Sequence, residues 1–296
     1  MTVRFAVLGP GGIGGLLTAL LARAGNPVEV LASEASARVI AARGLRLESG
    51  LFGDFHVEVQ TSTRLDHEVD ACLVAVKNTQ LVDALERLPT HAVGRALVIP
   101  FLNGIDHVEM LRARYGPDAV AAGTIRVETA RAEPGLIRHT SPFVKVELAS
   151  SAATAERLAP VAAALRDAGL DLRVRDDEAA MLWDKLSLLA PLALLTTHER
   201  AGAGVIRTRR REDLVAVVSE VAAVAGSEGV GIDAEAVVRL LDSLPETMES
   251  SMQRDQAAGQ QLEIDAIGGV VVRRAARGGI PVPVIARLVA ELEARG

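Results

Sequence analysis

The apolar run Phe5-Ala6-Val7-Leu8 breaks into Gly9-Pro10-Gly11-Gly12-Ile13-Gly14-Gly15 and then into a stretch of helical character. Gly9, Gly11 and Gly14 stand at G-x-G-x-x-G spacing, and each position has its own physical job. The first allows a sharp turn off the strand, the second lets a pyrophosphate approach the backbone, and the third lets the new helix pack close to the sheet. That helix presents unpaired N–H groups and a partial positive charge to a phosphate. Glycine-rich turns are common, so the spacing draws its weight from context: a strand over Val3–Leu8, a helix over Ile13–Ala24 and a second strand from Val28 to Ala32. This is the pattern of a dinucleotide-binding turn, with Gly12 and Ile13 at the phosphate end of the helix.

A chain of 296 residues is long for one hydrophobic core and comfortable for two. Hydrophobic residues make up 49% but aromatics only 2%, so the cores are built from Ala, Leu and Val rather than from the stacking surfaces that bind nucleic acid. A net charge of −6 argues in the same direction, against nucleic acid or an anionic membrane as partner. The single cysteine, Cys72, excludes an intrachain disulfide and fits a reducing compartment. No secretory signal is expected, and apolar stretches such as Leu186–Leu195 fall short of the roughly 20 residues of a membrane helix. The expectation is a soluble, cytoplasmic protein.

Gly25-Asn26-Pro27 ends the first helix. The residue closing the second strand normally chooses the cofactor: an acid holds the ribose 2′-hydroxyl of NAD, an arginine the 2′-phosphate of NADP. Here Ser33 stands there, followed by Glu34 and, four residues later, Arg38, which pull in opposite directions. Leu45–Leu47 and Phe55–Val59 read as an inserted hairpin. Ala71–Val76 is a buried parallel strand ending at Lys77-Asn78-Thr79-Gln80, and Ala96–Pro100 is another, ending at Asn103-Gly104. Both endings fall at the carboxyl edge of the sheet, where ligands bind in open parallel sheets. A solvated lysine at a helix start and a plain Asn-Gly turn are the alternatives. Between Ala119 and Leu148 the pattern is extended, read as antiparallel strands appended to the sheet, then a helix over Thr154–Ala168 and a last strand over Asp171–Arg175.

Beyond Asp177 only helical periodicity remains, over Ala179–Leu195, Arg211–Glu228, Asp233–Leu241, Ile264–Arg277 and Val284–Ala294. The fold class is therefore α/β, an N-terminal Rossmann dinucleotide-binding domain over residues 1–176 followed by an all-helical domain over 177–296. Two places in the helical half carry chemistry. Lys185 opens the apolar stretch Leu186–Leu195, where a lysine withdrawn from water gives up its proton more readily and can act as a general acid; a snorkelling lysine is the alternative. Glu263 and Asp265 lie among apolar residues where a helix begins, which is also where carboxylates complement a helix dipole. The six histidines show no metal-ligand spacing, and no Gly-x-Ser-x-Gly elbow is present.

Taken in order, the motifs resemble the ketopantoate reductase (2-dehydropantoate 2-reductase) family over nearly the whole chain. They are Gly9-x-Gly11-x-x-Gly14, Val76-Lys77-x-x-Gln80, Asn103-Gly104, Leu182-Trp183-x-Lys185-Leu186, Ser250-Ser251-Met252-x-x-Asp255, Glu263-Ile264-Asp265 and Gly279-Ile280-x-Val282-Pro283. The resemblance implies an oxidoreductase of pantothenate biosynthesis, using NADP (NAD possible) to reduce the keto carbon of a small-molecule 2-oxo acid. It implies Lys185 as the catalytic proton donor and Glu263 as the active-site glutamate, which also meets the cofactor. Ser251 is implied as the substrate-carboxylate ligand and Asn103 as a contact of both substrate and cofactor. Lys77, Gln80 and Ser33 would complete the cofactor contacts, and a homodimer is compatible with the long Ala-rich helices.

The departures concern the substrate. The family usually carries asparagines four and eight residues after the lysine, where this chain has Leu189 and Ala193, and another where it has Ala203; Ser33 replaces an expected arginine. The hydride-transfer residues are kept while the substrate-reading positions turn apolar. That implies either a more hydrophobic carbonyl or imine substrate than ketopantoate or, in a different class, a retired dinucleotide-binding sensor.

Overall fold

The computed structural model describes residues 2–149 and 154–295. The chain divides into two compact units, Met1–Leu102 with His107–Glu178, and Asn103–Asp106 with Ala179–Gly296.

The first unit is built on β1 (Phe5–Leu8), β2 (Val28–Leu31), β3 (Leu45–Ser49), β4 (Phe55–Val57), β5 (Gln60–Ser62), β6 (Ala71–Val74) and β7 (Leu97–Pro100). Five of them form an all-parallel sheet in the order β5-β2-β1-β6-β7. Every residue of β1, β2, β6 and β7 is buried, which is why these strands read as apolar runs, interrupted only by Glu29 in β2. The order reverses between β1 and β6, and that switch point is where open parallel sheets bind their ligands. In the middle of this sheet, burial pushes the Cys72 thiol up to about 12, so it is no nucleophile.

The later strands are β8 (Ala122–Arg126), β9 (Thr129–Glu133), β10 (Leu136–His139), β11 (Lys145–Ala149) and β12 (Asp171–Arg175). Of these, β9 and β10 do not extend the parallel sheet as the sequence suggested. They join the β3–β4 hairpin in a four-stranded sheet ordered β4-β3-β10-β9, and β11 pairs with β12 on one side and β8 on the other in a three-stranded one. A bridge between Val98 and Val120 links the latter to β7. The physical reason lies in the helix Gly12–Arg23. Its residues Gly14 to Leu21 are all buried, and a helix apolar on every side needs cover on every side. The four-stranded sheet provides the second cover: a Cβ on Gly12 would lie 2.8 Å from the Thr129 carbonyl oxygen, and one on Gly15 would run into the Ile137 side chain.

The second unit is helical: Glu178–Glu199, Ala203–Arg209, Arg211–Ser227, Ala234–Ser243, Ser251–Ala257, a π-helical turn Asp265–Gly269 running into Val270–Gly278, and Pro283–Glu293. Ala203–Arg209 and Ser251–Ala257 escape the sequence pattern because seven residues are too few to show a 3.6-residue period. The helix Glu178–Glu199 extends well past Leu186–Leu195 and by length and composition could cross a membrane. In the structure 61% of its most apolar window is buried inside the protein, as in a core helix. Gly268, in the π-turn, sits where a Cβ would meet Val289 Cγ2 at 2.5 Å and Leu194 Cδ2 at 3.1 Å, so the turn packs tightly between two helices.

Candidate active site

The residues singled out in the sequence fall into two groups, one in each unit. In the first unit they gather at the carboxyl ends of β1, β2 and β6. Gly9 takes φ +93°, a conformation that favours glycine, and a Cβ there would meet Val76 Cγ1 at 2.5 Å. Gly14 packs its α-carbon against the Gly9 carbonyl oxygen, which a Cβ would overlap. Gly11 is different: a Cβ on it would meet only the Ala75 carbonyl oxygen, at 3.9 Å. Protein packing thus accounts for Gly9, Gly12 and Gly14 but not for Gly11, the position that the phosphate reading reserves for a ligand.

Gly11 is the N-cap of the helix, no side chain caps that end, and no acid stands in its first turn. Its leading N–H groups and positive dipole end suit an anion. These features fit the diphosphate of a dinucleotide. Lys77 is half-buried at the N-cap of a short 3₁₀ turn, Asn78–Gln80, with Gln80 exposed at its end. Ser33 is the N-cap of the helix Glu34–Arg43, accepting from Ser36 N at 3.4 Å. Arg38 pairs with Glu34 at 2.7 Å, both side chains more than three-quarters exposed, so each occupies the other without adding much stability.

The second unit holds Asn103, Lys185, Ser251 and Glu263. Lys185 lies in the long helix with only 9% of its surface exposed, and Glu263 is 7% exposed just ahead of the π-turn. Such turns are frequent at functional sites. Asn103 Nδ2 donates to Glu263 Oε2 at 2.9 Å, joining residues 160 apart in sequence. The neighbouring Gly104, at φ +79°, lies so close to the Ala266 carbonyl that a Cβ would overlap it. Loop and π-turn are therefore locked together by backbone contact as well as by the side-chain bond. Ser251 is exposed at the first position of its helix, while Ser250, buried, is the cap: its Oγ accepts from Gln253 N at 3.0 Å and lies 2.9 Å from Thr196 Oγ1.

Of the apolar departures, Ala193 and Ala203 are buried, whereas Leu189 is half-buried and stands one turn from Lys185 on the same helix face. Among the described residues no group of three or more His, Cys, Asp or Glu is placed to hold a metal ion. Sequence reading passed over Asp106, Glu228 and Arg274, which are tied to one another by ion pairs in this unit. The Arg273-Arg274 doublet on a helical stretch was their only trace in the sequence.

Comparison with known proteins identifies the family. A family model described as ketopantoate reductase PanE/ApbA matches residues 5–152, and that of the ketopantoate reductase PanE/ApbA C terminal matches 178–296. The chain is 31% identical to the 2-dehydropantoate 2-reductase of Halobacterium salinarum, over 97% of this chain and 96% of that one. The crystal structure of a PanE/ApbA family ketopantoate reductase from Ralstonia eutropha superposes with a TM-score of 0.88 at 30% identity, covering 98% of this chain and 97% of that one. A ternary structure of D-mandelate dehydrogenase shares the fold, with a TM-score of 0.91 at 20% identity over 98% and 97% of the two chains. The chain belongs to the ketopantoate reductase PanE/ApbA family and is an NAD(P)H-dependent reductase.

Proposed function

We propose that this enzyme reduces the keto carbon of a 2-oxo acid with NADPH, Lys185 supplying the proton to the carbonyl oxygen. The Asn103–Glu263 hydrogen bond carries the reading, because it joins two residues assigned to the reacting centre in the unit that also buries Lys185. When bound, the nicotinamide supplies the hydride. The N–H groups of Gly12 and Ile13 would hold the diphosphate, with Gly9, Gly11 and Gly14 leaving it room. Ser33, Lys77 and Gln80 would contact the cofactor along the sheet edge, with Asn103 and Glu263 as further contacts.

The protein's own groups then have distinct tasks. Lys185 holds a proton where an alkoxide develops, the place at which a positioned acid lowers the barrier most. Glu263 accepts from Asn103 with one carboxylate oxygen and orients the ammonium and the product hydroxyl. Ser251 binds the substrate carboxylate. A second reading, a substrate with a more hydrophobic tail than ketopantoate, is favoured by Leu189: an apolar side chain on the lysine's face gives a substrate hydroxyl nothing to bond, and such losses cost discrimination heavily.

Steady-state oxidation of NADPH and NADH, first with ketopantoate and then with 2-oxo acids bearing apolar tails, tests both readings. Turnover is expected with 2-oxo acids, with kcat/KM rising towards apolar tails. Efficient turnover of ketopantoate would instead make Leu189 a tolerated variant and place the enzyme in pantothenate biosynthesis. Cofactor binding without turnover of any 2-oxo acid would sink the substrate class.

Cofactor choice is tested separately. Ser33→Arg is expected to raise the NADPH/NADH ratio of kcat/KM roughly tenfold, by adding a fork-shaped partner for a 2′-phosphate. Loss of the Ser33 cap should cost about 1 kcal/mol of stability. An unchanged ratio would show that the 2′ position lies elsewhere.

A further inference from the structure

Within the helical unit, a chain of hydrogen bonds connects the three segments that carry Asn103, Lys185 and Glu263. It starts at Trp183, 2% exposed and two residues before Lys185, whose Nε1 donates to Glu228 Oε2 at 3.1 Å. Glu228 closes the helix Arg211–Ser227 and accepts two bonds from Arg274 Nη1, both at 2.9 Å. Arg274, its side chain only 11% exposed, turns its remaining nitrogens to Asp106: Nη2 donates to Oδ1 at 2.8 Å and Nε at 3.2 Å. The other oxygen of Asp106 accepts from Arg273 Nη2 at 3.0 Å, and Arg273 Nη1 pairs with Asp265. Asp106 lies three residues after Asn103, and Asp265 two residues after Glu263.

Energy alone does not explain this arrangement. Burial of paired charges is weak grounds for stability, because desolvation offsets the Coulomb gain, and ordering two arginine side chains costs rotamer entropy. What the network supplies is geometry. Residues two apart on a helix stand about 200° apart around its axis. The Trp183 bond therefore holds the long helix from the side opposite Lys185 and sets its rotation without occupying the lysine's face. At the other end, Asp106 is held through both oxygens, which fixes the exit of the Asn103-Gly104 loop. Burial disfavours the Asp106 carboxylate, yet the bonds from Arg274 and Arg273 outweigh it and keep its pKa below the usual range. The anchor therefore stays charged at neutral pH.

We propose that Asp106, Glu228 and Arg274 are positioning residues for the reduction, setting the Lys185 helix and the Asn103 loop in register through Trp183 and Arg273. The proposal rests on the assignment of Asn103, Lys185 and Glu263 as the reacting set. Two variants test it, each with Tm and cofactor Kd measured beside kcat, KM and the pH profile of kcat. Trp183→Phe removes one N–H and leaves an aromatic ring in place; Arg274→Lys keeps the charge but loses the fork that spans Glu228 and Asp106.

A misplacement well below 1 Å is enough to slow chemistry, so kcat is expected to fall about fivefold in the first and at least tenfold in the second. KM and cofactor Kd should change less than kcat, because Ser251 and the glycine turn are untouched and only Asn103 and Glu263 lie on the braced segments. The pH profile of kcat should also move, since the proton donor loses its fixed surroundings. A Trp183→Phe enzyme with parental kcat and pH profile overturns the proposal, whatever its Tm, and decides alone if Arg274→Lys does not fold. Unchanged turnover in Lys185→Ala would instead defeat the assignment on which the proposal rests.

Discussion

Lys185→Ala is expected to lower kcat by roughly 10²-fold or more, the usual loss when a positioned general acid is removed. That corresponds to about 2.7 kcal/mol of transition-state stabilisation at 1.36 kcal/mol per tenfold. The effect should fall on kcat. Cofactor affinity should be nearly intact, because the glycine turn and the helix N-terminus that suit its diphosphate belong to the other unit. Lys185 is 9% exposed, so truncation also removes a packed stem, and the variant must be shown to be folded by its Tm. Single-turnover measurement at saturating cofactor separates the chemical step from binding. Turnover at the parental rate would remove Lys185 from the mechanism and leave the buried lysine as a packing residue.

The second large effect belongs to the glycine turn, where Gly14 and Gly11 should fail differently. In Gly14→Ala the new Cβ overlaps the Gly9 carbonyl oxygen and presses on Ala75 Cβ at 3.2 Å. Neither can give way easily, since Gly9 is itself held at φ +93° against Val76. The helix must move off the sheet, with a stability loss of about 1–3 kcal/mol and a roughly 100-fold weaker cofactor Kd, because the N–H groups are displaced with it. In Gly11→Ala the Cβ meets open space, its nearest protein neighbour 3.9 Å away. Its Tm should stay essentially parental, while cofactor affinity falls at least tenfold through the clash with the bound diphosphate. Thermal unfolding and cofactor titration of the pair read both effects. A Gly11→Ala protein that binds cofactor as tightly as the parent would show that the turn does not cradle the diphosphate as proposed.

The parallel strands were legible because burial on both faces leaves an unbroken apolar run, as in Phe5–Leu8 and Ala71–Val74. The long helices were legible because many turns repeat one period. Short elements were not: Ala203–Arg209 and Ser251–Ala257 offer less than two periods each. The strands between residues 119 and 148 were seen as extended, but β9 and β10 were assigned to the wrong sheet. Strand pairing is a long-range matter, settled here by the need to cover the outer face of the helix Gly12–Arg23.

The candidate site divides along the same line. Gly9, Gly11 and Gly14 could be placed from sequence because one strand, one turn and one helix contain their whole geometry. Asn103 and Glu263 drew notice in the sequence only separately, at a strand end and a helix start, and took their roles by resemblance; that they share a 2.9 Å hydrogen bond is a product of how the helical unit folds. The same holds for Asp106, Glu228 and Arg274, whose bonded pairs stand 46 and 168 residues apart and leave no local pattern. By itself, then, the sequence determined what local periodicity and backbone sterics can carry: the parallel strands, the glycine turn and the helical second half. Tertiary structure alone decided which sheet covers the first helix and which distant charges brace the lysine, because those choices depend on burying surfaces that meet only once the chain has folded.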